Sequence, residues 1–250
     1  RLARQEAVSV STMVSALQAL EDQGWVEARP RSGFYVRRAA PRGPALPASA
    51  PPARPQAVTS QGITLEVVRA SATPGVLQLG TAVPDPDFFP LNAVRRALTQ
   101  AERWRRREAL RYAFPPGVAV LREQVAGRLA DGGCVVGPER VLVTAGAQEA
   151  TQIALRAVAA PGDAVAVESP TYYGLLQVIE SLGLRAVEVP TDPRRGISLP
   201  ALERALGRWP IRACALVPTC SNPTGYVMGD GAKRALVALC ARHGVAVIED

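Results

Sequence analysis

Four places in this 250-residue chain combine residue types that could hold a flat ligand carrying a negative charge. The first is VPTCSNPTGY, Val217–Tyr226. Pro223 fixes its own backbone and drives Asn222 out of helical geometry. Gly225 admits a positive φ. After the apolar run IRACALVP this makes a stiff turn at the C-terminal end of a buried strand, the edge where open α/β sheets bind ligands. Asn222 is then an amide held over a crevice, although four residues alone favour an ordinary Asn-Pro turn. The second is TAGAQEA, Thr144–Ala150. A strand ends, Gly146 turns the chain and a helix begins near Gln148, so free N–H groups and the helix dipole converge as they do on a phosphate. Many strand-to-helix turns look similar. The third is ESPTYYG, Glu168–Gly174, where Tyr172 or Tyr173 could stack on a planar ring or simply pack at a helix start. The fourth is the carboxylate of Asp250, which closes AVIED.

These groups meet only if the elements between them bring them to one edge. The pattern predicts strands at RVLVT (140–144), AVAVE (164–168), RAVEVP (185–190), RACALVP (212–218) and VAVIED (245–250). Between them it predicts helices at 148–160, 171–183, 199–207 and 231–244. Strands alternating with amphipathic helices imply βαβ units and a mostly parallel sheet. Upstream, AAPRGPALPASAPPARPQAV (39–58) holds six prolines and seven alanines, a composition suited to an extended, semi-rigid linker and not to a core. The expected division is a small unit at 1–38, a linker region at 39–75 and a large unit at 76–250. The chain opens at Arg1 without an initiator Met and stops at its last strand, so both ends read as truncated.

Composition excludes several classes. Hydrophobic residues make up 48% and charged residues 20%, as in a globular protein, and no apolar run approaches membrane-spanning length. No signal peptide is visible. The four cysteines, at 134, 214, 220 and 240, are widely spaced without a CxxC or Cys/His cluster, which argues against a disulfide frame or a zinc site and for reduced thiols in the cytoplasm. His243, the single histidine, reads as a helix-end residue. Net charge is +7 and unevenly placed: residues 95–111 carry seven arginines against two glutamates. That run reads as a solvated helix face in preference to an anion or nucleic-acid patch. Lys233 is the only lysine.

The N-terminal stretch RLARQEAVSVSTMVSALQALEDQGWVEARPRSGFYVRR predicts the end of one helix, a turn and a second helix. Ser9 or Ser11 caps that second helix, Val14, Leu17 and Leu20 form its apolar face, and it runs to Gln23 before Gly24 ends it. WVEARP and GFYVRR then predict a short hairpin. A helix-turn-helix followed by a basic hairpin is a winged helix, and VSVSTMVSALQALEDQGWVEARPRSGFYV resembles the GntR family of transcriptional regulators. The resemblance implies that Ser9, Ser11 and Thr12 start a recognition helix touching phosphates and base edges of double-stranded DNA, and that Arg31 and the Gly33 turn place the wing near the minor groove. Valine at positions 10 and 14, where many members carry arginine, departs from the pattern. The first helix of the usual domain lies outside this sequence.

Beyond residue 77 the stretches LREQVAGRLADGGCVVGPERVLVTAGAQEATQIALRAVAAPGDAVAVESPTYYG, PTCSNPTG and VAVIED resemble the class I/II aminotransferases, fold-type I pyridoxal-phosphate enzymes. That resemblance implies a three-layer α/β large domain. Carried over residue by residue, Ala147 and Gln148 cradle the cofactor phosphate, Tyr172 stacks on its ring, Asn222 meets the ring hydroxyl and Asp250 pairs with the ring nitrogen. Tyr112, in RYAFPPG, matches a tyrosine that reaches the partner subunit's phosphate, which implies a homodimer. The Schiff-base lysine of the family falls after the Asp250 strand, and Lys233, placed mid-helix and away from the sheet edge, does not substitute for it. The order of winged helix, linker and aminotransferase-like domain resembles the MocR subgroup of bacterial regulators. It implies a cytoplasmic DNA-binding regulator using pyridoxal 5'-phosphate, with an amino acid or amine as a further effector. The alternatives are an aminotransferase with an appended DNA-binding head, and a module holding the cofactor noncovalently.

Overall fold

The computed structural model describes residues 2–30, 32–36, 49, 51, 54–59, 61–71, 73–75 and 84–250. The chain divides into two compact units, Arg1–Pro47 and Ala48–Asp250.

In the first unit, α1 (Leu2–Gln5) and α2 (Val10–Asp22) precede a hairpin of β1 (Val26–Arg29) and β2 (Gly33–Val36), paired antiparallel with Arg29 opposite Gly33. Ser9, not Ser11, is the N-cap of α2, its Oγ accepting the Thr12 N–H at 3.0 Å. Glu21 Oε1 accepts the Ala28 N–H at 2.8 Å and ties α2 to β1. Of the expected apolar face only Leu17 is half-buried, while Val14 and Leu20 stay exposed, because among the described residues of this unit no further layer lies over that side.

The second unit begins with β3 (Gln56–Ala57) and α3 (Gln61–Ser71), both inside the stretch expected to be linker. β3 pairs antiparallel with a sheet edge and α3 lies against a helix, so the backbone finds partners that composition does not announce. A 3-10 turn (Pro86–Phe88) leads to α4 (Leu91–Ala109), followed by α5 (Ala119–Asp131), a second 3-10 turn (Pro138–Arg140) and α6 (Ala147–Val158). Then come β4 (Ala164–Ser169), α7 (Tyr173–Ser181), β5 (Arg185–Asp192), β6 (Gly196–Ile197), α8 (Leu199–Arg208), β7 (Ile211–Leu216), α9 (Asp230–Arg242) and β8 (Ala246–Glu249).

The sheet order is β3-β5-β4-β7-β8; its last four strands are parallel, and β6 adds antiparallel at the end of β5. Side chains alternate across β4. Ala164 and Ala166 join Leu202 and Leu206 of α8 and Leu236 and Leu239 of α9 on one face. Val165 and Val167 join Leu155 of α6 and Val178 and Ile179 of α7 on the other. A strand covered on both faces must be apolar throughout, as AVAV is. The result is the mostly parallel sheet expected from the alternation, in the three-layer α/β arrangement that the resemblance implies.

One expected strand is absent. RVLVT forms the end of the second 3-10 turn and an unpaired extended segment in which Leu142 and Val143 are exposed; Val143 N–H donates to Pro116 O at 2.9 Å. Its sequence suits a strand, but a strand requires a ladder partner, and none of the described residues supplies one.

Candidate functional site

From β4 the chain moves to β5 on one side and then returns past β4 to β7 on the other. The point where that order reverses, at the carboxyl ends of β4 and β7, is where such sheets open a crevice. A cleft lies there, lined by Gln148 and Thr151 of α6, Tyr172 and Leu175, Ala215–Val217, and Ile248 and Asp250. Parallel pairing is the reason: β4, β7 and β8 are neighbours running the same way, so the residues following each emerge at one edge. Asp250 extends the ladder by donating its N–H to Leu216 O at 3.1 Å.

Gly146, at φ 98°, turns the chain into α6, a conformation that a Cβ would disfavour. The first-turn N–H groups of α6 have no intrahelical acceptor and point outward. Glu149 Oε2 reaches back to the Ala145 N–H at 2.5 Å and fixes the entry. Gln148 Nε2 lies 3.5 Å from the Tyr172 hydroxyl, a long contact across the cleft wall. Both side chains occupy space left by Gly174, where a Cβ would overlap them. The hydroxyls of Thr171 and Thr224, beside Tyr172 and Asn222, are buried without a hydrogen-bond partner among the described residues.

Behind this edge sits a buried polar pair. Glu168 is 1% exposed; its Oε2 accepts the Val217 N–H at 2.8 Å and its Oε1 meets the Tyr226 hydroxyl. Burial raises the Glu168 carboxyl above the ordinary carboxylate range, against the opposing pull of those two hydrogen bonds. Burial, with the adjacent carboxylate, also raises the Tyr226 hydroxyl. The loop between them is closed by Met228 N–H to Pro218 O at 2.8 Å and Ser221 N–H to Tyr226 O at 3.0 Å, and Asn222 rides on it. Nearby, Cys214 and Cys240 share a thiol contact in the core, and that contact together with burial raises Cys214.

Of the residues expected at the site, Gln148, Tyr172 and Asp250 converge on the cleft. Asn222 and Ala147 do not line it: Asn222 is half-buried on its loop, and Ala147 opens α6. Tyr112 is 89% exposed, its ring centroid 6.0 Å from that of Phe114. Lys233 is not mid-helix. It sits in the first turn of α9, which starts at Asp230, and its Nζ donates to Thr219 Oγ1 at 2.9 Å, on the loop that carries Asn222. In the first unit Ser9, Ser11 and Thr12 form one exposed hydroxyl cluster, with Ser9 Oγ 2.8 Å from Ser11 Oγ and 2.7 Å from Thr12 Oγ1. Gly33 opens β2 at φ 110°, and Arg31 lies outside the described residues. Sequence reasoning missed Thr151, although its i+3 spacing from Gln148 places it on the same helix face. It also gave no role to Glu168 and Tyr226, whose pairing spans 58 residues.

Residues 75–250 match the family described as aminotransferase class I and II. The chain belongs to that family. As a class I/II member it is 32% identical to LysN, an α-aminoadipate aminotransferase of Thermus thermophilus, with a TM-score of 0.66 over 74% of this chain and 46% of that one. That structure is described as complexed with N-(5'-phosphopyridoxyl)-L-leucine. Several relatives that align over nearly all of the chain are named as regulators. The HTH-type transcriptional regulator YjiR of Escherichia coli is 38% identical over 100% of this chain and 53% of its own length. The probable rhizopine catabolism regulatory protein MocR of Rhizobium meliloti is 27% identical over 100% of this chain and 50% of its own. The chain spans about half the length of the curated relatives it matches.

Proposed function

We propose that this chain is part of a DNA-binding transcriptional regulator of MocR type, whose class I/II aminotransferase unit binds pyridoxal 5'-phosphate as a sensing cofactor. The observation that carries this reading is coverage. HTH-type regulators align over all of the chain, head included, whereas the aminoadipate aminotransferase aligns over 74% of it.

The residues lining the cleft, with Ala147 and Asn222 beside it, support this reading. The α6 N-terminus, at Ala147 and Gln148, would receive the phosphate on free N–H groups. Tyr172 would cover the ring face, and Asp250 would keep a proton on the ring nitrogen. Asn222 would donate to the ring hydroxyl from a loop that Glu168 and Tyr226 hold. Tyr112, projecting into solvent, would serve the partner subunit of a homodimer. When bound, the group supplies an electrophilic carbonyl for an amine and a ring that draws off electron density. In the head, Ser9, Ser11 and Thr12 would meet phosphates and base edges, and the Gly33 turn would carry the wing. No helix among the described residues is long and apolar enough to cross a membrane. We place the protein in the cytoplasm, in keeping with its free cysteines.

The test is duplex binding by the full-length protein on DNA from its own promoter. Promoter preference that is lost in Ser11→Ala/Thr12→Ala, with affinity moved by pyridoxal 5'-phosphate or an amine, is the expected result. No promoter preference, or affinity indifferent to both ligands alongside turnover of amino donors, would overturn the reading in favour of an enzyme.

A further inference from the structure

The basic excess of the chain is concentrated on α4, and the helix sorts it by face. At about 100° per residue, Arg95, Arg106, Arg103, Arg96 and Arg107 fall within an arc of about 120°, with Thr99 inside it and Gln100 at its border. Leu91, Val94, Leu98 and Ala101 lie away from that arc, together with the sixth arginine of α4, Arg105. Of the two glutamates of α4, Glu108 lies on the opposite side and Glu102 at the border of the basic arc, beside Arg95. All five arginines are exposed, and among the described side chains none of them forms an ion pair. Arg95, Arg96, Thr99, Gln100, Arg103 and Trp104 border one shallow groove.

The opposite side, with one arginine among its apolar residues, can be covered by protein once that single charge is compensated. The basic side cannot, because packing five guanidinium groups against protein without carboxylates leaves buried, uncompensated charge. The face therefore stays in water or meets a polyanion. Arg95 to Arg107 spans about 18 Å of helix rise, a length over which one strand of B-DNA presents about five phosphates. Thr99 and Gln100 add the hydrogen-bonding types that accompany arginine at phosphates.

We propose that this face of α4 is a second, sequence-independent contact for the phosphate backbone of duplex DNA, separate from the head. The choice of DNA among polyanions rests on the regulator reading. Binding is measured with full-length protein and a random-sequence 30-bp duplex, by fluorescence anisotropy across 50–200 mM KCl, in wild type and in Arg95→Gln/Arg96→Gln/Arg103→Gln. A control, Arg194→Gln/Arg195→Gln/Arg204→Gln, removes the same charge elsewhere. Three lost phosphate contacts should flatten the slope of log K against log salt by about 2.7 and remove about 40-fold of the salt sensitivity over that range. The control should keep the wild-type slope.

An unchanged slope in the α4 variant, equal flattening in the control, or no duplex binding by wild type at 50 mM KCl overturns the proposal. So does an α4-dependent affinity for phosphatidylserine vesicles in place of duplex, which would make α4 an interfacial helix. The two readings separate cleanly. An α4-dependent slope without any promoter preference keeps the contact and refutes the regulator. Promoter preference lost with Ser11→Ala/Thr12→Ala, together with an unchanged α4 slope, does the reverse.

Discussion

The carboxylate of Glu168, at the end of β4, meets the hydroxyl of Tyr226, 58 residues later, inside the protein. Its other oxygen holds the Val217 N–H at 2.8 Å. One side chain thus grips the loop that carries Asn222 at both its stems. Gly196 leaves the room for this, since a Cβ there would lie 2.6 Å from the Tyr226 ring.

Because burial raises the Glu168 carboxyl, its contribution to stability is full below the ordinary carboxylate range. It is lost as pH rises through the raised value. Glu168→Gln, a neutral isostere that can accept from Val217 and donate to Tyr226, should be insensitive to that titration. Thermal melts of both proteins from pH 4 to 8 should show wild type losing ground to the variant as pH increases. A constant difference in melting temperature would refute the assignment.

Tyr226→Phe keeps the ring and deletes the hydroxyl, leaving Glu168 buried with one partner fewer. The expected cost is about 1–3 kcal/mol in urea unfolding, with the loop 217–228 gaining hydrogen exchange ahead of the β4–β7 core.

Gly174→Ala places a methyl group where Gln148 and the Tyr172 ring now pack. Overpacking of this kind costs about 1–3 kcal/mol. If the cleft holds the cofactor, titration of the full-length variant with pyridoxal 5'-phosphate, followed by absorbance, should show weaker binding. Retained affinity would detach Gly174 from the site.

Leu155 is fully enclosed between α6 and the sheet. Leu155→Ala should lower stability by about 2–5 kcal/mol, read from denaturant midpoints, while Ser9→Ala, removing the α2 cap, should cost about 1 kcal/mol and confine its effect to the first unit.

Thiol titration provides a check on the packing. Cys134 and Cys220 are exposed, whereas Cys214 and Cys240 are buried. A chromogenic disulfide should label Cys134 and Cys220 rapidly in the native protein, and Cys214 and Cys240 only in urea.

Much of this architecture is written locally. From Ala164 to Glu249 the alternation of period-2 and period-3.6 apolar patterns specifies every helix and every strand but the two-residue β6 within a residue or two, because burial on a sheet face or a helix stripe dictates which positions must be apolar. Ser9 as a cap and His243 at the end of α9 are likewise properties of nearby residues. Tyr172 and Asp250 each follow a strand, which places both at one edge once the strands are parallel, and Gln148 reaches the same edge from the start of α6.

Tertiary structure decided the remainder. VLVT has strand-forming residues and no ladder partner among the described residues, and its own sequence cannot supply one. Gln56 and Ala57, in a stretch whose composition reads as linker, gain their strand from the free edge of β5. Asn222 sits on a turn that its neighbours specify, but its distance from the cleft is set by how Glu168 and Tyr226 hold the loop. For β3 and for the Asn222 loop a determining partner, β5 or Glu168, lies tens of residues away or further. Local preference sets what a segment can become, and a hydrogen-bond partner brought in by the fold sets what it is.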